Sequence, residues 1–92
     1  MTKTQMAFEL AKQYVTIEVE MWKVVEMRDQ DKQQYGKDSD EYTWSKHQVR
    51  KLRAKMDTIQ ESKTLIGISS KMWSDQMWQA YLDNSEKEKA LA

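Results

Sequence analysis

The sequence predicts an all-α protein: a long antiparallel helical hairpin, about residues 4–35 and 39–64, plus a shorter C-terminal helix at about 69–84. Three observations predict it. The 92 residues hold no proline and only two glycines, Gly36 and Gly67, so chain breakers are almost absent. Apolar side chains recur at steps of three and four, the helical period, and strand-like alternation is missing apart from the short "TLIGIS" run at 64–69. Gly36 ends the first helical pattern, and Gly67 with the serine pair that follows it marks a second candidate break.

The first element carries a seam of Ala7, Leu10, Tyr14, Ile17, Met21 and Val24 on one helix face. Tyr35–Gly36 is its natural end, because glycine takes the left-handed conformation just past a last turn without steric cost. The second element opens with Asp38 as the expected cap and Glu41 three residues on, a capping-box spacing. Its seam is Tyr42, Ser45, Val49, Leu52, Met56, Ile59, Lys63 and Ile66. Two helices joined by so short a turn run antiparallel. Folding about Gly36 pairs Val24 with Val49, Met21 with Leu52, Ile17 with Met56, Tyr14 with Ile59 and Ala7 with Ile66, in the manner of a coiled coil. Polar layers fall toward the ends: Arg28 with Ser45, Asp31 with Tyr42, and Leu10 with Lys63.

The third element, "SSKMWSDQMWQAYLDN", begins after Gly67 with Ser69 or Ser70 as cap. Its seam stays in step through Ser70, Trp73, Met77 and Ala80, so one helix from about 39 to 83 is the alternative. Gly67 and the serine pair favour a break. Residues 85–92, "SEKEKALA", read as a frayed polar tail, and 1–92 as a single helical domain.

Composition bounds the function. Without cysteine there is no disulfide or thiolate metal site, and with one histidine, His47, a zinc site lacks its usual donors. No cofactor is expected. The acid-rich "DQDKQQYGKDSDE" at 29–41 fails the calcium-loop pattern in either frame. Glu18 and Glu20 point to different helix faces, and no nucleophile–base pair or phosphate loop is evident, so an enzyme is not expected. The N-terminal residues do not read as a signal peptide, and no run is long and apolar enough to cross a bilayer. The C-terminal helix is too poor in cations to favour a membrane surface. A cytoplasmic protein is the expectation.

Fifteen cations balance fifteen acids. The balance is uneven: residues 1–45 hold six cations against nine acids, and 46–92 nine against six. The run "KHQVRKLRAK" at 46–55 carries Lys46, Arg50, Lys51, Arg53 and Lys55 with no acid. In the expected register Glu18 lies beside Arg53 and Glu20 beside Lys55, as flanking pairs that choose helix orientation.

The first helix has a second apolar stripe, Phe8, Ala11, Val15, Trp22 and Val25, with Val19 beside it. The third helix has a broad face of Met72, Trp73, Met77, Trp78, Ala80, Tyr81 and Leu82. Tryptophan and tyrosine anchor interfaces, and methionine adapts to irregular partners. The expected function is therefore a non-catalytic interaction or assembly module. Phe8, Val15, Trp22, Met72, Trp73, Met77, Trp78 and Tyr81 are the candidate partner-binding residues, and the partner a second copy in a homodimer or another helical protein. The alternative is a small DNA- or RNA-binding protein using Lys46, Arg50, Lys51 and Lys71. Within that alternative, "LIGISSKMW" at 65–73 resembles the turn and recognition-helix start of helix-turn-helix DNA binders over nine residues. The resemblance implies Ser69, Ser70 and Lys71 as groove-facing residues. It departs at Lys63, where the family has a small buried residue, and at Trp73, where it has Val or Ile.

Overall fold

The computed structural model describes residues 1–91. Three helices follow one another: α1 (Lys3–Tyr35), α2 (Asp40–Ile66) and α3 (Ser70–Leu91). The all-α class, the hairpin and the break at Gly67 are as expected. The α1 and α2 helices pack closely, and the shorter α3 packs on α1.

Each boundary has a local cause. The N-terminus of α1 is a reciprocal capping box: the Gln5 amide donates to the Thr2 hydroxyl at 3.1 Å, and the Thr2 amide donates to Gln5 Oε1 at 2.8 Å. At the far end Gly36 sits at φ 91°, and its amide donates to the Lys32 carbonyl at 3.0 Å, closing an αL cap. The cap of α2 is Ser39, not Asp38. The Tyr42 amide donates to Ser39 Oγ at 3.2 Å, and Ser39 Oγ donates to the Gly36 carbonyl at 2.8 Å. Serine thus ties the turn to the helix start in one side chain, while Asp40 and Glu41 supply the negative first turn.

The break after α2 is a full Schellman motif. Gly67 lies at φ 82°, its amide donates to the Thr64 carbonyl at 3.1 Å, and the Ile68 amide donates to the Lys63 carbonyl at 3.1 Å. Ile68, just past the glycine, is buried. Ser69 then caps α3 through the Met72 amide at 3.2 Å. The α3 helix does not stop at Asn84 but runs to Leu91. Residues 85–90, "SEKEKA", hold no breaker and mostly strong helix formers, and Lys87 pairs with Asp83 at 3.2 Å one turn back.

Compact packing divides the chain into two units, residues 17–56 and the remainder. In the unit of residues 17–56, Met21, Val49, Leu52 and Met56 are buried, with Ile17 and Val24 half-buried beside them. The one buried polar side chain among the described residues is Ser45. Its hydroxyl donates to the Asp31 carboxylate, one turn beyond its expected partner Arg28, and the Glu41 carbonyl lies 3.1 Å away as a second acceptor. Lys32 and Lys46 both stand over the Tyr42 ring, at 6.0 and 5.4 Å from its centroid.

The other unit joins the first turns of α1, the end of α2 and α3. Ala7, Ala11 and Val15 of α1, Ile59 and Ile68, and Trp73 and Ala80 of α3 form its core. Alanine at 7, 11 and 80 lets the helix backbones approach closely. Tyr14 and Trp73 meet edge to face, with centroids 5.9 Å apart and planes at 82°. Lys63, the polar member of the α2 seam, extends its ammonium over Trp73 at 5.3 Å. A cation above an indole face is favoured, which accounts for a lysine at this seam position.

Candidate partner-binding surface

The expected contact residues divide between core and surface. Val15 and Trp73 belong to the core, with Trp73 only 9% exposed, so neither is available to a partner in this fold. Phe8 is half-buried, and Lys12 Nζ stands 4.9 Å from its ring centroid. Met72 and Met77 are half-buried. Trp22, Trp78 and Tyr81 are exposed, Trp22 by 59% and Trp78 by 67%. The helical repeat separates Trp73 from Trp78 by five residues, about 140° around α3, so one faces the core when the other faces outward.

On α3 the outward residues form a continuous strip. Ser74, Met77, Trp78 and Tyr81 line an open groove of about 310 Å³. Leu82 is exposed one turn beyond Trp78. A second open groove, about 450 Å³, lies along Gln60, Glu61, Thr64 and the exposed Leu65 near the end of α2.

Sequence reasoning missed Trp44. It is 56% exposed on α2, one position off the buried seam at Ser45. A tryptophan out of step with the three–four pattern was the available signal.

The basic run lies on the wet side of α2. Arg50, Lys51, Arg53 and Lys55 are exposed, and Lys46 is half-buried over Tyr42. The expected pairing of this run with acids is not seen: Arg53 and Lys55 form no ion pair among the described residues. The ion pairs Lys12–Glu9, Arg28–Asp29 and Lys87–Asp83 each join neighbours along one helix. Exposed pairs gain well under about 1 kcal/mol, too little to hold two long side chains across a gap.

Of the helix-turn-helix candidates, Ser69 spends its hydroxyl as an acceptor in its own helix cap, and Ser70 and Lys71 are exposed. Trp73, at the position of departure, is a core residue. His47 is exposed, and no cluster of three metal-ligating side chains occurs among the described residues. No described helix is long and apolar enough to cross a membrane.

No family model, curated protein or solved structure matches the chain.

Proposed function

We propose that the protein is a non-catalytic helical assembly module that associates with a second copy of itself through the outward face of α3. Trp78 carries this reading: a large indole, 67% exposed, flanked by Met77, Tyr81 and the exposed Leu82. Tryptophan is ordinarily well covered in a folded chain, and at interfaces it is the residue whose removal costs most. A formal net charge of zero sets little long-range repulsion between copies. A cytoplasmic setting belongs to the same proposal.

Sedimentation equilibrium over a wide concentration range tests it. A monomer–dimer equilibrium is expected, with Trp78→Ala and Leu82→Ala each weakening it. Loss of about 2 kcal/mol at a tryptophan anchor corresponds to roughly a 30-fold rise in the dimer dissociation constant. A single monomeric species throughout, or a dimer indifferent to both substitutions, would contradict the proposal.

A further inference from the structure

The cationic stretch of α2 has no part in that assembly reading, and its surroundings point to a ligand of its own. Between Glu41 and Asp57 the helix carries five cations and no acid. Lys46 is engaged with Tyr42. Arg50, Lys51 and Lys55 are exposed and form no ion pair among the described residues. Trp44 and His47 stand two turns and one turn before Lys51 on the outward side, both exposed, and Lys55 follows Lys51 by one turn, with the short side chain of Ala54 beside them. Positions 44, 47, 51 and 55 advance by three and four residues, so a flat aromatic face and a row of positive charge share one side of the helix over about 16 Å.

We propose that this face binds single-stranded nucleic acid, with Lys51 and Lys55, one turn apart, against successive phosphates, the long Arg50 side chain reaching the strand from the flank of the row, and a base stacked on Trp44. Charge complementarity selects a polyanion. The aromatic selects among polyanions, since a base stacks on an indole whatever its identity and a single strand leaves its bases free to do so. An acidic protein helix fits less well, because a helical partner needs an apolar centre to its interface and this strip offers only Trp44 and Ala54. An anionic membrane fits less well again. The apolar face of α2, Val49, Leu52 and Met56, is buried in the hairpin and cannot enter lipid.

The test is the fluorescence anisotropy of labelled oligothymidylate titrated with the intact protein at several salt concentrations, with indole quenching read in parallel. Three phosphate contacts on a single strand give a slope of log K against log salt of about −2, so affinity falls roughly 20-fold between 50 and 200 mM salt. Each of Arg50→Gln, Lys51→Gln and Lys55→Gln is expected to weaken binding and to flatten the slope by about 0.7. Trp44→Leu is expected to weaken binding while leaving the slope unchanged. Lys71→Gln, on α3, should leave both unchanged. These are surface substitutions, and circular dichroism checks that each variant stays helical. No binding at 50 mM salt would overturn the proposal. So would a salt slope indifferent to the three cation variants, a loss at Lys71→Gln equal to theirs, or tighter binding to phosphatidylserine vesicles than to the oligonucleotide.

Discussion

The Ser45 hydroxyl donates a hydrogen bond to the Asp31 carboxylate, joining α2 to α1 across the turn at Gly36. Ser45 is fully buried, and the bond satisfies a polar group in a seam that is otherwise apolar through Val49, Leu52 and Met56. Removing the hydroxyl with Ser45→Ala is expected to lower stability by about 1 kcal/mol, the usual net value of such a bond. Urea unfolding followed by circular dichroism checks it.

The two tryptophans of α3 should behave oppositely. Trp73 fills the core against Tyr14, so Trp73→Ala is expected to cost about 3–5 kcal/mol through lost burial and a residual cavity. Trp78→Ala should leave the stability of the monomer within about 0.5 kcal/mol of the original. Thermal unfolding at low protein concentration separates the two. Equal losses would mean that α3 is rotated from the placement described.

The cap of α2 gives a sharper comparison. Ser39→Ala removes the side-chain acceptor of the Tyr42 amide and should cost about 1 kcal/mol. Asp38→Ala should cost a few tenths at most, since no helix amide depends on it. Both are read from chemical unfolding midpoints.

Gly67 is required for its backbone. A Cβ there would stand 3.5 Å from Lys3 Nζ, ordinary contact with a flexible side chain, so space is not limiting. The φ of 82° is limiting, and Gly67→Ala is expected to cost about 1–2 kcal/mol. Gly67→Asn should cost less, because asparagine tolerates the left-handed region. A Gly67→Ala variant as stable as the parent would indicate that α2 and α3 merge into one rod.

Much of this architecture was legible in the residues. Gly36 and Gly67 announced both turns because a left-handed residue is needed wherever a helix ends in an αL or Schellman cap. Ser69 was readable as a cap for the same local reason. Asp38 and Ser39 were harder to separate: both are good caps, and only the turn geometry, which brings Ser39 within reach of the Gly36 carbonyl, decides between them. The Thr2–Gln5 box is a four-residue pattern that lies ahead of the apolar seam, which begins only at Ala7, so periodicity does not point to it. The end of α3 lies beyond the expected Asn84 because polarity alone does not fray a helix, and 85–90 lacks any residue that opposes one.

The candidate surface was less legible than the fold. Periodicity marks a broad apolar face on α3 but not which edge of it meets α1. Packing against Tyr14 settles that Trp73 lies inward and Trp78 outward. The charge partners expected for Arg53 and Lys55 failed for an energetic reason, since position alone does not hold exposed charges together.

The most direct test of the hairpin seam is an intramolecular cross-link. The chain has no cysteine, so Met21→Cys with Leu52→Cys introduces a single pair, at two buried positions facing each other in the expected register. Mild oxidation of the folded protein should yield a monomeric disulfide, while Met21→Cys with Ser45→Cys, one heptad out of step, should not form one. Cross-linking of the second pair in preference to the first, or only between molecules, would contradict the account.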